Sequence, residues 1–227
     1  MNITIDNEQD ITLRRASEKS FKELGLVHST RVTEGSSNPL IYLVHGRAGN
    51  VDVMSTFKRT IPDDFQIISV QAPYADPIGG FSWWQVKEKL CREEVKSTLH
   101  VLCEFIESAE EYYDLKTTRR IALGFSQGAG LLSATIESSP KLFFGLGFLA
   151  GFLLKNKPLQ YWQQLKNKPA IFKAHGIKDP TISIEKAREE EQFLREAGFN
   201  IEYVEDDVAH KIGTAAMRSL KNWLAAT

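Results

Sequence analysis

Short apolar segments alternate with amphipathic ones from about residue 40 onward, and this alternation constrains the fold more than any other feature. The apolar segments predict strands at Leu40–His45, Phe65–Val70, Arg120–Phe125, Phe143–Ala150, Ala170–His175 and Asn200–Glu205. Helical periodicity predicts helices at Glu93–Tyr113, Gln127–Ser138, Ile184–Ala197 and Ile212–Ala225. Near-continuous apolar strands are typical of a sheet buried on both faces. The sequence therefore predicts parallel βαβ units in a three-layer α/β domain.

The region before residue 38 is less regular. We interpret Leu13–Leu24 as a helix and Thr30–Glu34 as an edge strand. The alternating, acidic start Met1–Asp10 lacks the basic and apolar segments of a signal peptide. With no linker or repeat in the 227 residues, we expect one domain over residues 1–227, with residues 1–38 as an N-terminal extension of uncertain structure.

Charge and cysteine content limit the partners and the compartment. The sequence holds 28 Lys and Arg against 29 Asp and Glu, a net charge of -1, which gives no support to a nucleic-acid or anionic-membrane surface. No stretch approaches the ~18 apolar residues of a membrane-spanning helix. Cys91 and Cys103 fall on one predicted helix about 18 Å apart, too far for a disulfide. We therefore expect reduced cysteines and a cytoplasmic location.

The segment Gly124-Phe125-Ser126-Gln127-Gly128 connects a predicted strand to a predicted helix. In that context the pattern G-x-S-x-G indicates a nucleophilic serine. A serine hydroxyl attacks only when a base activates it, and small neighbours allow the sharp turn that exposes it. Ser126 is the predicted nucleophile. The alternative is a tight turn whose serine only caps the helix.

An acid and a base should follow the serine in the order Asp, His. Asp179 lies just after a predicted strand, and His210 lies between the last strand and the last helix. Both fall at carboxyl ends of strands, where sites in parallel sheets gather. We predict that His210 accepts the Ser126 proton and that Asp179 orients the imidazole. For the competing acids, Asp206 and Asp207, we expect a solvated loop.

The other four histidines have simpler explanations. His28 and His100 lie in N-terminal and helical contexts, where surface or packing roles are expected. His45 and His175 each precede a glycine at the end of a strand. We expect each of these two to anchor its loop by hydrogen bonding rather than to act as a base.

A hydrolase of this kind also needs two preorganised N–H groups to stabilise the oxyanion. The amide of Gln127, directly after the serine, is one candidate. The amide of Arg47, in the glycine-rich segment His45–Asn50 that follows a predicted strand, is the other. The alternative for this segment is an ordinary turn. A phosphate loop is disfavoured because the G-x-x-x-x-G-K-[ST] pattern is absent.

The segment Ala72–Trp84 interrupts the alternation with prolines and a glycine pair, so it predicts a loop. Three bulky aromatic residues in this loop are candidates for a substrate-binding wall: Phe81, Trp83 and Trp84. Packing in the core beneath the loop is the alternative for each of them.

Together these motifs resemble the phospholipase/carboxylesterase family, which includes acyl-protein thioesterases. The resemblance rests on HGRAGN, APYADPIGGFSWW, GFSQGA, HGIKDP and the late histidine, and it covers about residues 38–225. It implies a nearly lidless α/β-hydrolase that cleaves carboxylic esters or thioesters without a cofactor or metal. Carried over by position, Ser126, Asp179 and His210 are the triad, and the amides of Arg47 and Gln127 form the oxyanion hole.

Two residues depart from the family pattern. Ala209 stands where many members have glycine, and Arg47 stands where the thioesterases tend to have an apolar residue. We therefore predict a carboxylesterase for small to medium acyl chains, with a small-molecule ester or thioester as its partner. A thioesterase or lysophospholipase on the same triad is the first alternative. A non-catalytic binding protein with a hydrolase fold is the second, and a homodimer is left open.

Overall fold

The computed structural model describes residues 13–87, 90–117 and 119–227. Its strands are β1 Arg14–Arg15, β2 His28–Arg31, β3 Leu40–Val44, β4 Gln66–Val70, β5 Tyr74–Ala75, β6 Phe81–Ser82, β7 Arg120–Phe125, β8 Gly145–Leu149, β9 Ala170–Gly176 and β10 Ile201–Asp206. Eight of these form one sheet in the order β1-β2-β4-β3-β7-β8-β9-β10. The six strands from β4 to β10 in this order run parallel, whereas β1 and β2 are antiparallel to their neighbours. The predicted, mostly parallel α/β-hydrolase sheet is confirmed.

Helices cover both faces of this sheet. They are α1 Glu18–Leu24, α2 Arg92–Tyr112, α3 Gln127–Ser138, α4 Leu159–Gln163, α5 Ile184–Glu196 and α6 Thr214–Ala226, with a 3-10 helix at Val53–Thr60. Alternate residues of β3 point to opposite faces. Tyr42 joins the apolar cluster under α2 and α3, while Ile41 and Leu43 join the one under the 3-10 helix and α6. The result is the predicted three-layer arrangement. No helix in the described ranges is long and apolar enough to cross a membrane.

The N-terminal region differs from the sequence-based prediction in two ways. The predicted edge strand is observed at His28–Arg31, but it lies inside the sheet because Arg14–Arg15 pairs with its outer side. The predicted helix begins only at Glu18, because the side chain of Ser17 accepts a hydrogen bond from the amide of Ser20 and caps it. The segment Met1–Asp10, on which the absence of a signal peptide was argued, lies outside the described residues.

The loop Ala72–Trp84 contains a short antiparallel ribbon, β5 and β6, that lies against the glycine-rich segment after β3. Phe81 and Gly49 exchange two backbone hydrogen bonds, of 2.8 and 3.1 Å. A side chain at Gly80 would clash, because its Cβ would lie 2.2 Å from the carbonyl oxygen of Ala48. The ribbon thus fixes the loop after β3 at the carboxyl edge of the sheet.

Candidate active site

Ser126 occupies a strained turn between β7 and α3. Its φ of 50° and ψ of -111° lie in a region that residues with a side chain rarely adopt. Two glycines make this turn possible. A Cβ at Gly128 would lie 2.3 Å from the carbonyl oxygen of Val44, and one at Gly124 would lie 2.6 Å from the backbone of α3. The G-x-S-x-G spacing is therefore a steric requirement of this turn.

The three side chains predicted as a triad lie within hydrogen-bonding distance of one another. His210 Nε2 is 3.0 Å from Ser126 Oγ, and His210 Nδ1 is 2.6 Å from Asp179 Oδ2. Asp179 is ionised and accepts from Nδ1–H, so Nε2 is left to accept the serine hydroxyl proton. Asp179 follows β9 and His210 follows β10, so the carboxyl ends of neighbouring parallel strands bring them together.

Asp179 is buried but richly hydrogen-bonded. Its Oδ1 accepts from the backbone N–H groups of Thr181 at 2.8 Å and Ile182 at 3.0 Å, and its Oδ2 faces His210. Burial works to raise the pKa of this carboxyl, but the hydrogen bonds from His210, Ile182 and Thr181 together outweigh it and lower the pKa. The carboxylate therefore stays charged beside the imidazole.

His175 anchors the loop that carries Asp179. Its Nε2 lies 2.9 Å from the carbonyl oxygen of Ile182 and 3.3 Å from Asp179 Oδ2. The ring is buried, and burial lowers its pKa. A neutral ring that donates from Nε2 holds the loop around the carboxylate, as the sequence predicted for this residue.

His45 has the corresponding role on the other side of the site. Its Nδ1 donates to the carbonyl oxygen of Gly46 at 2.6 Å, and its Nε2 accepts from the amide of Ala72 at 3.0 Å. Burial lowers its pKa to about 4. The backbone carbonyl of His45 also accepts the indole N–H of Trp83 at 2.7 Å. This histidine therefore ties the loop after β3 to the aromatic loop, as predicted.

The other two histidines, His28 and His100, lie away from the serine turn. His28 is buried and lies 2.7 Å from the hydroxyl of Tyr113, whereas His100 is exposed beside Glu104. These are the packing and surface positions that were expected.

The two acids before His210 differ from each other. Asp207 is exposed and pairs with Lys178 at 2.7 Å. Asp206 does not lie in a solvated loop, as the sequence had suggested. Its carboxylate accepts from the amides of Ala215 at 3.3 Å and Ala216 at 2.9 Å, so it caps the first turn of α6. Among the described residues, the side chain of His210 contacts Asp179 and Ser126 rather than either of these two acids.

The two residues whose amides are predicted to bind the oxyanion line the same cleft as Ser126. Gln127 is the first residue of α3, where backbone N–H groups have no partner within the helix. Arg47 lies in a turn closed by a 3.2 Å bond between the amide of Gly49 and the carbonyl of Gly46. The next amide, that of Ala48, donates to a serine hydroxyl at 3.3 Å.

The side chain of Gln127 has a structural role that the sequence did not reveal. Its Oε1 accepts from the amide of Trp83 at 2.8 Å, and its Nε2 donates to the carbonyl of Trp84 at 2.9 Å. The residue after the serine therefore holds the aromatic loop against the serine turn. Only the tertiary fold reveals this contact, because 43 residues separate Gln127 from Trp84.

These side chains border a cleft of about 540 Å³. Its lining includes Arg47, Trp84, Gln85, Val86, Lys87, Leu90, Phe125, Ser126, Gln127, Phe152, Thr181, Ile182, Lys186 and His210.

The three residues predicted to form the wall of the substrate site lie in different environments. Trp84 lines the cleft. Trp83, 0% exposed, and Trp84, 4% exposed, both pack in the buried core, and Phe81 packs against that core from the ribbon. Sequence reasoning missed Phe152, whose ring meets that of Trp84 edge to face at 6.4 Å.

Among the described residues, no group of three or more His, Cys, Asp or Glu side chains is placed to hold a metal ion. The described part of the site offers instead a serine, an imidazole, a buried carboxylate and unpaired amides. This set suits nucleophilic acyl transfer, in which negative charge develops on the carbonyl oxygen.

A serine turn between a parallel strand and a helix, with aspartate and histidine after later strands, is the arrangement of the α/β-hydrolases. The profile of the phospholipase/carboxylesterase family matches residues 31–227. The chain belongs to this family, as its motifs had indicated. The family's name and those of its relatives support an enzyme of the serine-hydrolase type.

Three individual proteins show how far the similarity extends. The chain is 34% identical to acyl-protein thioesterase 1 of Kluyveromyces lactis over 117 residues, which is 50% of each protein. The match therefore spans half the length of that relative. Two carboxylesterase structures share the fold. The one from Bacillus cereus has a TM-score of 0.80 at 17% identity, covering 92% of this chain and 99% of that one. The one from Mesorhizobium loti has a TM-score of 0.79 at 16% identity, with coverage of 95% and 99%.

Proposed function

We propose that this protein is a serine carboxylesterase that cleaves esters of small to medium acyl chains. The observation that carries the proposal is the chain of hydrogen bonds from Ser126 through His210 to Asp179, which opens onto the cleft. The serine hydroxyl lies 3.0 Å from the imidazole nitrogen that would accept its proton. The carboxylate lies 2.6 Å from the other nitrogen.

The reaction would proceed through an acyl-enzyme. Ser126 Oγ attacks the ester carbonyl carbon while its proton passes to His210 Nε2. The tetrahedral intermediate then collapses, and His210 gives that proton to the departing alkoxide, which leaves as the alcohol. Water then attacks the acyl-enzyme carbonyl carbon while its proton passes to His210 Nε2. Collapse of this second intermediate breaks the bond to Ser126 Oγ, which takes the proton back from His210, and the acid is released. Asp179 stabilises the imidazolium formed in each half.

Developing negative charge on the carbonyl oxygen needs donors that are already in place. The amides of Arg47 and Gln127 are the proposed pair, because Gln127 directly follows the serine at the start of α3 and Arg47 lies in the turn after β3 that lines the same cleft. Removing one such donor in a known hydrolase costs about 10²–10³-fold in kcat. Arg47 is held in its turn by the contacts of its side chain, and Gln127 by its bonds to the aromatic loop.

The size of the acyl group is proposed from the aromatic wall. Trp84 and Phe152 meet within the cleft. Each buried CH₂ adds about 0.8 kcal/mol only while apolar surface remains to receive it. A groove that ends on two aromatic rings would favour short and medium chains.

The proposal is tested by Ser126→Ala. Loss of the nucleophile costs about 10⁶-fold in kcat in a serine protease. We expect the variant to lose p-nitrophenyl ester hydrolysis and fluorophosphonate labelling with an unchanged circular dichroism spectrum. Ser138→Ala, in the same helix but away from the cleft, is the control. Retention of more than a tenth of wild-type turnover by Ser126→Ala would contradict the proposal. A wild-type protein that neither turns over nor labels would favour the non-catalytic binding protein.

The similarity to an acyl-protein thioesterase favours one second candidate, an acyl thioesterase that uses the same three residues. The chemistry differs only in the leaving group, a thiolate in place of an alkoxide. Profiling wild type on matched oxygen esters and thioesters of the same acyl chain separates the two. A kcat/KM for thioesters at least tenfold above that for the oxygen esters would establish the thioesterase.

We also propose a cytoplasmic location. Cys91 and Cys103 are both free thiols, and reduced cysteines fit a reducing compartment. Fractionation of cells that express the full chain tests this directly, with release into the medium as the contradicting result.

A further inference from the structure

The lysine and arginine side chains among the described residues that line the cleft give it a positive character. Arg47, Lys87 and Lys186 border it, and no acidic side chain of the described residues does. The carboxylate of Asp179 lies behind the imidazole with no exposed surface. A cleft lined by one sign of charge concentrates ligands of the opposite sign. These cations therefore favour a negatively charged substrate, provided that their charges are not already neutralised.

Two of the three cations have carboxylate partners. Arg47 pairs with Asp76 at 2.9 Å, and Lys87 pairs with Glu94 at 2.5 Å. Their charges are neutralised locally, so neither is the first choice for recognising an anion.

Lys186 is different. Its ammonium lies 5.0 Å from the centre of the Phe152 ring, and no carboxylate of the described residues lies within 4 Å of it. The other cations of α5 are both paired, Arg188 with Glu205 and Arg195 with Glu191. Lys186 thus keeps an uncompensated charge on the aromatic wall of the cleft.

The position of Lys186 in its helix is unfavourable for the helix itself. Ser183 caps α5 and accepts from the amide of Lys186 at 3.3 Å. At this third helical position a glutamate or glutamine would complete the capping box, and a positive charge in the first turn opposes the helix dipole. Such a local conflict is expected where a residue serves a site rather than its own element.

We propose that Lys186 binds a carboxylate carried by the substrate, so that the enzyme prefers esters bearing an acid group. The inference rests on the proposed esterase function. Trp84, Phe152 and Ile182 would receive the hydrocarbon between the ester and the acid. The ammonium above Phe152 would receive the carboxylate through one charge-assisted hydrogen bond. Lys186 is then a specificity-determining residue.

The experiment compares two pairs of substrates that differ only in an acid group. Monomethyl adipate and methyl hexanoate place the acid on the acyl side. The pair 4-acetoxybutanoate and butyl acetate places it on the alcohol side. Hydrolysis is followed by proton release at constant pH, for wild type, Lys186→Met, Lys186→Arg and Lys157→Met. Lys157 is a matched control, because its ammonium also lies over a ring, that of Tyr161, but outside the lining of the cleft.

In at least one pair, wild type should favour the acid-bearing ester by kcat/KM. The ratio of kcat/KM for the acid-bearing ester to that for its neutral partner should fall about tenfold in Lys186→Met, because one charge-assisted hydrogen bond contributes about that much. The change should lie mainly in KM. Lys186→Arg and Lys157→Met should keep the ratio, and about 0.5 M NaCl should lower it in wild type. Equal ratios in wild type and Lys186→Met for both pairs would overturn the inference while leaving the esterase intact. No turnover of any of the four esters would overturn both.

Discussion

Arg47 and Asp76 form an ion pair at the mouth of the cleft, with Nε 2.9 Å from Oδ2. The carboxylate also accepts from the hydroxyl of Ser82 at 2.6 Å and from the amide of Ile78 at 3.1 Å. The hydrogen bonds from Arg47 and Ser82 lower the pKa of Asp76 to about 2. The prediction of small to medium acyl chains drew on Arg47, because an unpaired charge there would be costly to bury beside a long hydrocarbon chain. That premise was wrong, because the guanidinium is neutralised by a carboxylate 29 residues away.

Replacing Asp76 with asparagine should destabilise the fold in a pH-dependent way. Its side chain is 1% exposed, and hydrogen bonds to a charged group contribute about 1.5–3 kcal/mol. Because its folded pKa lies below the unfolded value of about 3.9, this stabilisation is complete above that value. It is lost as the pH falls toward the folded pKa of about 2. Asp76→Asn should therefore lower the free energy of unfolding by about 2 kcal/mol at pH 7 and by much less near pH 2.

Urea unfolding of wild type and Asp76→Asn at pH 7, 5 and 3 checks this prediction. The control is Asp52→Asn, which removes an equally short pair with Arg15 in which both side chains are exposed. Exposed ion pairs contribute about 0–1 kcal/mol, so the free energy of unfolding of this variant should be close to that of wild type. If the loss of unfolding free energy in Asp76→Asn were the same at all three pH values, the stabilisation would not come from the charge of Asp76.

Asp179→Asn should reduce kcat by about 10⁴-fold, since an asparagine in this position favours the wrong histidine tautomer in the protease precedent. Asp207→Asn, which removes only an exposed pair with Lys178, should retain activity. Asp206→Asn should lower stability rather than kcat, because Asp206 caps α6. Steady-state kinetics and thermal unfolding of the three variants separate these outcomes. An equal loss of kcat in Asp206→Asn or Asp207→Asn would move the acid to the loop before His210.

The value of kcat/KM should rise with pH through a single ionisation, because His210 must be neutral to accept the serine proton. The pH dependence of kcat/KM reports the ionisation of the free enzyme's essential base. The other groups near the site do not interfere. Hydrogen bonding keeps the pKa of Asp179 low although burial opposes it, and burial lowers the pKa of His45 to about 4. A profile from pH 5 to 9 that is flat, on a substrate stable over that range, would contradict the assignment of His210 as base.

Sequence patterns predicted the main strands, the main helices and the serine turn, because neighbouring residues in the chain determine these features. The strand at Arg120–Phe125 and the helix at Gln127–Ser138 have the predicted bounds. Their apolar residues recur with the period of each element, and G-x-S-x-G marks the turn between them. The positions of Asp179 and His210 followed from the rule that parallel strands end at one edge of the sheet.

Contacts between distant segments were the parts that the sequence did not predict. An aspartate in the aromatic loop and an arginine after β3 give no sign that they pair. Two adjacent tryptophans give no sign of which one borders the cleft, because a loop has no fixed period. The two-residue strand Arg14–Arg15 is likewise too short to carry a periodic signal, so its pairing with β2 displaced the predicted edge strand.

Truncation of Trp83 or Trp84 should lower stability, but only truncation of Trp84 should change the preferred acyl-chain length. Trp84 lines the cleft and contacts the ring of Phe152, so Trp84→Ala would lengthen the groove. Wild type should gain activity over the first few acyl carbons and lose it once the chain meets the wall. In Trp84→Ala the optimum should move to longer chains. Both side chains are buried, so each alanine variant should cost about 3–5 kcal/mol of stability, but Trp83→Ala should leave the optimum chain length unchanged.

The measurement is kcat/KM across p-nitrophenyl esters from acetate to palmitate below their micelle-forming concentrations, with urea unfolding of each variant. Phe81→Ala is the matched control, because Phe81 packs against the core from the ribbon and does not appear in the lining of the cleft. Its chain-length optimum should equal that of wild type. A wild-type kcat/KM that still rises at laurate and beyond would overturn the short groove and favour the thioesterase for long acyl chains. An unchanged optimum in Trp84→Ala would show that another surface, rather than Trp84, ends the groove.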